Sequence, residues 1–256
     1  MCRMVGFVAE EGADPGALGE LASCLARAAE RDDLYDAARP ARHGDGWGAA
    51  VAYEGGGLLV YRSGRPIFEE LAGGAPAWLA VARRAVGILH ARWASEGSKV
   101  GAAYSHPYEA VAESGAALYI LAHNGSLDKD RLAAALGVEP DGYVDSELAL
   151  LYLARRGLDE GALSELVPYV RSALDLLVLK VVRAESVAEL YGYSYWKGRS
   201  GDDNDYYAMY RLEKGGVRAL ASSTVRRYCL ALPGWRDLGK LEAGSLEKLG
   251  AVRLGR

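Results

Sequence analysis

The sequence of 256 residues almost excludes side-chain amides. It contains no Gln, two Asn, at positions 124 and 204, and a single Thr at position 224. Because amides are heat-labile, their depletion beside abundant Arg, Glu, Ala and Tyr indicates a high growth temperature. Base-composition bias in a GC-rich genome is the alternative explanation. Under either explanation, an Asn that has been kept stands out.

Cysteines, basic runs and long apolar segments are also scarce. Cys2, Cys24 and Cys229 lie far apart without CxxC spacing, which argues against a disulfide framework and a zinc knuckle. The net charge is -4 and no stripe of Lys or Arg occurs, so we expect no nucleic-acid partner. No apolar run reaches membrane-spanning length, so no membrane association is expected. The N-terminus lacks the apolar stretch of a signal peptide, which predicts a cytoplasmic protein.

The remaining composition is typical of a globular protein, with 50% apolar and 25% charged residues. Since there is no internal repeat and no Pro/Ser-rich linker, we expect a single domain over residues 1–256. Strands are predicted at 4–9, 86–93, 117–123, 176–182 and 188–195, and hairpins at 47–54 with 57–62 and at 205–212 with 217–222. Helices are predicted after Asp14 and at 128–136, 146–156 and 163–174. This alternation favours stacked sheets flanked by helices.

Position 2 is the first feature that indicates chemistry. Removal of the initiator Met is favoured before a small residue, and it would give Cys2 a free α-amine beside its thiol. A terminal α-amine ordinarily has a pKa of about 7.7–8.0, so it is a base matched to neutral pH and adjacent to a nucleophile. An incidental Cys next to the start codon is the simpler explanation on position alone. A second signal is therefore needed.

The pair Asn124-Gly125 supplies that signal. Asn-Gly deamidates readily, yet this chain keeps it at the end of a predicted strand. A turn would explain the pair, but Asp-Gly would form the turn almost as well without the liability. We therefore favour an oxyanion hole, in which the Asn amide and the Gly N–H donate to a developing oxyanion. Loss of one such donor costs roughly 10²–10³ in rate.

Two charged residues suit the ends of an amino acid. Arg92 ends an apolar strand and could hold a carboxylate with its planar fork, although a surface ion pair explains it equally well. Asp145 could cap the following helix or could bind an ammonium group. Together with a nucleophile and an oxyanion hole, the two residues predict a site for an amino-acid amide.

These motifs resemble those of a class II glutamine amidotransferase of the N-terminal-nucleophile (Ntn) hydrolase superfamily. The resemblance covers roughly residues 2–155, with weaker similarity to position 223. The matching segments follow the family's order, and they are Cys2, His90–Gly97, Ser105–Pro107, His123–Gly125 and Asp145–Glu147. The resemblance implies an α+β fold, the four-layer αββα sandwich.

The resemblance also implies residue roles. Cys2 would be the nucleophile with its own amine as base, and Asn124 with Gly125 would form the oxyanion hole. Arg92 would hold the substrate α-carboxylate and Asp145 the α-amine.

Two further residues, Ser95 and His106, complete the implied substrate-binding set. Many members carry His where this chain has Glu96, so the contacts around that position stay open. Residues His43–Gly48 resemble the short stand-alone branch of the family. That branch includes enzymes that cleave γ-glutamyl groups from thiol metabolites or glutathione.

The sequence therefore predicts hydrolysis of the γ-glutamyl amide of glutamine through a Cys2 thioester, with no cofactor. No metal is expected, because no two histidines show zincin spacing. No synthetase domain follows, so we expect any ammonia acceptor to be a separate synthetase subunit. The alternatives are a hydrolase of a γ-glutamyl metabolite, an Ntn hydrolase of other amides, which Arg92 and Asp145 argue against, and a non-catalytic subunit that retains Met1.

The Tyr-rich segment 191–210 is predicted to be a two-stranded hairpin with alternating aromatics. A partner or dimer surface is the alternative, because Tyr and Trp are enriched at interfaces. The sequence leaves the oligomeric state open.

Overall fold

The computed structural model describes residues 2–80, 84–197 and 206–255, in which two antiparallel sheets are flanked by helices. The strands of the first sheet are, in spatial order, β11 (Arg236–Lys240), β9 (Met209–Lys214), β10 (Val217–Ser222), β1 (Arg3–Ala9), β4 (Ala85–Ala91), β2 (Trp47–Tyr53) and β3 (Leu58–Ser63). Those of the second sheet are β12 (Leu246–Arg253), β8 (Val187–Tyr193), β7 (Val170–Val182), β6 (Ala117–Leu127) and β5 (Tyr108–Val111).

Three apolar cores arrange these sheets and the helices in four layers. The helices are α1 (Pro15–Glu30), α2 (Ile67–Glu70), α3 (Ala77–Ala80), α4 (Lys129–Leu136), α5 (Asp145–Arg156), α6 (Glu160–Leu166) and α7 (Ser223–Leu230). One core joins the seven-stranded sheet to α1, α2, α3 and α7, and a second joins the other sheet to α4, α5 and α6. The third core lies between the two sheets. The order helix, sheet, sheet, helix confirms the predicted α+β sandwich.

Strand β1 is the central strand of the larger sheet and is buried on both faces. Its side chains alternate, so Phe7 joins the helix-side core whereas Met4 joins the core between the sheets. The sheets approach closely here, because a Cβ added to Gly6 would lie 2.9 Å from Leu177. The strand begins directly after Cys2 and therefore fixes where that residue lies.

Local capping signals set several helix ends, and the starts of α1 and α4 are as predicted. Asp14 and Asp128 cap α1 and α4, accepting from the backbone amides of Gly16 and Arg131. Gly137, with a φ of 67°, ends α4 in the left-handed conformation. α1, with 16 residues, is shorter than the roughly 20 that cross a bilayer. No helix in the described part of the chain is long and apolar enough to do so.

The predicted helix over 163–174 is wrong beyond α6. A 3-10 turn at Val167–Tyr169 contains Pro168, which lacks the N–H that would continue a helix. Strand β7 then begins at Val170, opposite Leu127 of β6. Backbone pairing with a strand far away in sequence overrides the helical spacing of the leucines.

The predicted hairpin of the Tyr-rich segment is also wrong. β8 pairs with β7 and β12 in the smaller sheet, whereas β9 pairs with β10 and β11 in the larger one. The Tyr-rich segment thus passes from one sheet to the other, and residues 198–205 lie outside the described residues. The predicted hairpin of β9 with β10 is confirmed for residues 209–222.

Candidate active site

The predicted site residues meet where strands of both sheets end. Cys2 precedes β1 and Arg92 follows β4, and the two strands are neighbours because Arg3 lies opposite Ala91. Asn124 and Gly125 belong to β6, in the other sheet. The site therefore lies between the two sheets at one edge of the sandwich.

The nitrogen and sulfur of Cys2 have separate partners. The backbone N–H donates to Oδ1 of Asn124 at 2.8 Å, and the sulfur lies 3.8 Å from the carbonyl oxygen of Trp93. Cys2 is 8% exposed, so its thiol is buried but reachable from the adjoining cavity. The fold thus joins the predicted nucleophile to the retained Asn across 122 positions of sequence.

Asn124 and Gly125 form part of a strand rather than the turn that was the alternative explanation. Asn124 lies opposite Asp175 on β7, and the pairing register shifts after Gly125, as at a β-bulge. Gly125 has a φ of 142°, and a Cβ there would lie 1.9 Å from the carbonyl oxygen of Ala173. Only glycine fits this position.

A small cavity of 60 Å³ gathers six of the seven predicted site residues, namely Cys2, Arg92, Ser95, His106, Gly125 and Asp145. Asn124 is not among the lining residues, but its Oδ1 lies 2.8 Å from the Cys2 nitrogen. An outer cavity of 860 Å³ shares the lining residues Ser95, Ser98, Val144 and Asp145. The two cavities are therefore adjacent, and Cys2 lines the inner one.

Backbone amides hold the Asp145 carboxylate at the junction of the two cavities. Its two oxygens accept from the N–H of Leu127 and the N–H of Ser146, both at 2.9 Å. Glu147, rather than Asp145, accepts from the backbone N–H that precedes helix α5, that of Val144. The carboxylate is fixed in place and keeps lone pairs for a further donor.

Arg92 and His106 carry buried polar atoms without a hydrogen-bond partner among the described residues. These atoms are Nη1 of Arg92 and both ring nitrogens of His106. Buried polar atoms are otherwise almost always paired, because leaving one unpaired costs roughly 1–3 kcal/mol. Since both side chains line the inner cavity, they are suited to bind a polar ligand.

Burial keeps the histidines around the cavity neutral. It lowers the pKa of His90 to about 3 and holds the pKa values of His106 and His123 below the usual range. The ring of His106 lies 4.1 Å from that of His90, and His123 shares a 2.9 Å hydrogen bond with Ser146. Within residues 2–80, 84–197 and 206–255, no group of three His, Cys, Asp or Glu could hold a metal ion.

The segment His43–Gly48 supports the loop that carries Arg92. The carbonyl oxygen of Arg92 accepts from the N–H of Asp45 at 3.0 Å, and the N–H of Arg92 donates to the carbonyl oxygen of Gly46 at 2.9 Å. A Cβ on Gly46 would lie 2.3 Å from the hydroxyl of Ser105, and one on Gly48 would lie 2.2 Å from the carbonyl oxygen of His106. These two glycines therefore make room for the segment that contains His106.

Sequence reasoning missed a buried carboxylate next to Cys2. Asp32 accepts from Arg3 at 2.6 Å, His43 at 2.9 Å and Thr224 at 2.6 Å, and Arg3 also donates to the carbonyl oxygen of Cys2. Burial alone raises the pKa of Asp32, but the His43 hydrogen bond and the Arg3 charge outweigh it and hold the pKa well below its usual value. The single Thr of the chain was the available signal.

A second buried carboxyl group, Asp175, was also missed. It accepts from Ser194 at 2.7 Å and from Nδ2 of Asn124 at 3.0 Å. Burial raises the pKa of Asp175 to about 8, although both hydrogen bonds favour the ionised form. An acidic residue inside the apolar run 174–179 was the signal in the sequence.

The family model of the class II glutamine amidotransferases matches residues 34–177, which are 144 of the 256 residues. The chain belongs to this family. Glutamine amidotransferases of class II hydrolyse the glutamine amide or transfer its nitrogen, and the matched residues include Arg92, Gly125 and Asp145. Cys2 lies outside the matched range, so its place in the site rests on the geometry alone. No curated protein matches the chain.

Proposed function

We propose that this amidotransferase hydrolyses the γ-glutamyl amide of glutamine with Cys2 as an N-terminal nucleophile, after removal of Met1. The observation that carries the proposal is the 2.8 Å contact between the Cys2 nitrogen and Asn124, beside a cavity lined by Arg92 and Asp145. Once Met1 is removed, that nitrogen is an α-amine and can take the proton from the thiol of the same residue.

In the proposed mechanism, the sulfur attacks the amide carbon and the carbonyl oxygen becomes an oxyanion. The Gly125 N–H and the second Nδ2 hydrogen of Asn124 stabilise that charge, since Asp175 accepts only the first hydrogen. The α-ammonium returns its proton to the leaving nitrogen, and the C–N bond breaks to release ammonia. Water then hydrolyses the thioester, which releases glutamate and restores the thiol.

Substrate recognition in this proposal depends on opposite charges at the two ends of an α-amino acid. The Arg92 guanidinium pairs with the α-carboxylate, using a buried nitrogen that has no partner among the described residues. The Asp145 carboxylate pairs with the α-ammonium. Ser95 and His106 supply neutral polar contacts to the same ligand.

A second candidate is hydrolysis of a γ-glutamyl metabolite with a larger leaving amine. The outer cavity of 860 Å³ favours it, because ammonia alone would not require that space. Its lining carries charges of both signs, three basic and three acidic side chains, namely Lys99, Lys129, Arg171, Glu96, Asp141 and Asp145. If glutamine is the substrate, a separate synthetase subunit is the expected ammonia acceptor.

The experiment is a glutamate-release assay on matured protein with glutamine, glutathione and other γ-glutamyl amides. We expect turnover of at least one compound and none by Cys2→Ala, whose thermal melting should match the wild type. Full activity of Cys2→Ala would remove the thiol from the mechanism. Comparing rates for glutamine and the larger amides decides between the two candidates.

Intact mass spectrometry of protein from its native host tests the required maturation. The expected mass lacks Met1. A retained Met1 would block the amine and would favour a non-catalytic ligand-binding subunit instead.

A further inference from the structure

A second layer of polar side chains lies behind Asn124. Asp175 is opposite Asn124 in the β6–β7 ladder, and its Oδ2 accepts from Asn124 Nδ2 at 3.0 Å. Its Oδ1 accepts from the Ser194 hydroxyl at 2.7 Å. Asp175 and Ser194 are both fully buried. The three side chains therefore form a buried chain of hydrogen bonds, from Ser194 to Asp175 and from Asp175 to Asn124.

Packing alone does not account for an acidic residue at this position. Asp175 lies on the side of β7 that faces the other sheet, the side to which Leu177 and Leu179 contribute apolar core. A carboxyl group here loses its hydration and requires hydrogen bonds to offset the cost. A leucine would pack between the sheets without that cost, so the carboxyl group indicates a polar role.

The role follows from the symmetry of the Asn side chain. The oxygen and nitrogen of its amide exchange places when the group rotates by half a turn. Only one orientation of Asn124 lets its oxygen accept from the Cys2 nitrogen. The reverse orientation would place the Asn124 oxygen against Oδ2 of Asp175, which is an acceptor.

The preference is strict when Asp175 is ionised, and in the neutral state it holds while the proton lies on Oδ1. When the carboxyl group is ionised, both oxygens only accept. When it is protonated, Oδ1 can carry the proton and donate it to the Ser194 hydroxyl, which has lone pairs to accept it. Oδ2 then still accepts from Asn124. Ser194 is therefore needed to keep the arrangement when Asp175 is neutral.

We propose that Asp175, held by Ser194, is a positioning residue that fixes the Asn124 amide with its oxygen toward the Cys2 nitrogen. This inference rests on the proposed function, in which that nitrogen is the base. The contact with Asn124 engages one N–H of the amine and leaves its lone pair for the thiol. Loss of the contact should slow proton transfer without altering the groups that bind the substrate ends.

The test compares four variants of the full matured chain. Asp175→Asn keeps an acceptor for Asn124, Asp175→Leu removes it, and Ser194→Ala removes the support. Val178→Ala is the matched control, because Val178 is buried on the same strand but faces the helices. Kinetics with the best γ-glutamyl substrate and thermal melting are measured for all four.

For Asp175→Leu we expect kcat to fall on the order of tenfold to a hundredfold with KM nearly unchanged, as for a misplaced reacting group. Asp175→Asn should restore kcat to near the wild-type value, and Val178→Ala should keep it. Ser194→Ala should lower kcat less than Asp175→Leu does, and it tests the proposal if Asp175→Leu does not fold. A normal kcat in Asp175→Leu would overturn the proposal, and so would equal losses of kcat in Asp175→Asn and Asp175→Leu. If Asp175→Leu does not fold, a normal kcat in Ser194→Ala would overturn it.

A second readout does not require the substrate. Cys24 and Cys229 are buried, at 1% and 0% exposure, so iodoacetamide should label Cys2 first. Labelling of Asp175→Leu should be about tenfold slower than that of wild type and Asp175→Asn, because the amine is misplaced as a base. Equal rates would overturn the positioning role. If wild type releases glutamate from no compound, the proposed function fails, and labelling still tests the positioning.

Discussion

Two buried aspartates near Cys2 have pKa values shifted in opposite directions. Asp32 and Asp175 are both fully buried, and each is linked to Cys2 through one intermediate side chain. Arg3 joins Asp32 to the Cys2 carbonyl oxygen, and Asn124 joins Asp175 to the Cys2 nitrogen. The pKa of Asp32 is held well below its usual value, whereas burial raises that of Asp175 to about 8.

Both side chains are inaccessible to solvent, but their neighbours differ. Asp32 is hydrogen-bonded to His43 at 2.9 Å and to the Arg3 guanidinium at 2.6 Å, so its ionised form is hydrogen-bonded and paired with a full charge. Asp175 receives hydrogen bonds from a hydroxyl and an amide, which are neutral and do not offset the loss of hydration. Asp32 is thus half of an ion pair, whereas Asp175 is hydrogen-bonded only to neutral side chains.

The largest effect is expected from removing the ion pair. Asp32→Asn leaves the Arg3 charge buried without its partner, which should lower the free energy of unfolding by about 3–5 kcal/mol. Chemical denaturation measures this change in the free energy of unfolding. Glu69→Gln, which breaks an exposed ion pair with Arg65, is the control and should change little. A wild-type denaturation midpoint in Asp32→Asn would show that the buried charge of Arg3 does not require pairing with Asp32.

A smaller effect is expected from placing a second carboxyl group beside Asp175. Asn124→Asp removes the proposed amide donor to the oxyanion. We expect kcat for the best γ-glutamyl substrate to fall by roughly 10²–10³. A near-normal kcat would remove Asn124 from the oxyanion hole and weaken the contrast between the two aspartates.

The smallest effect is a pH dependence of stability. Because the pKa of Asp175 is raised to about 8, the folded state keeps its proton between pH 4 and 8 where the unfolded chain has lost it. Stability from this group therefore falls as the pH rises through that window. The unfolding free energy of wild type relative to Asp175→Asn should fall by about 1 kcal/mol per pH unit near pH 6.

The four histidines titrate in both proteins and cancel in that difference. Urea denaturation of both proteins at pH 5, 6 and 7 measures the slope. A difference that does not change with pH would mean that Asp175 is ionised in the folded state, like Asp32.

Local sequence was sufficient for the helix starts at Asp14 and Asp128, for the β2–β3 hairpin and for the chemical types of the site residues. Caps, turns and alternating apolar side chains act over a few positions, and each residue carries its own functional groups. The signals at Cys2 and Asn124 were also present in the sequence, namely the position of Cys2 after the initiator Met and the scarcity of Asn in this chain.

Three-dimensional structure was required wherever a partner is distant along the chain. Pairing with β6 made residues 170–174 the start of strand β7, and that pairing set Asp175 opposite Asn124. The fold also brought Arg3, Asp32 and Thr224 together from three separate segments. Burial and the charge of the nearest neighbour give each aspartate its pKa, and neither property exists until the two sheets have packed.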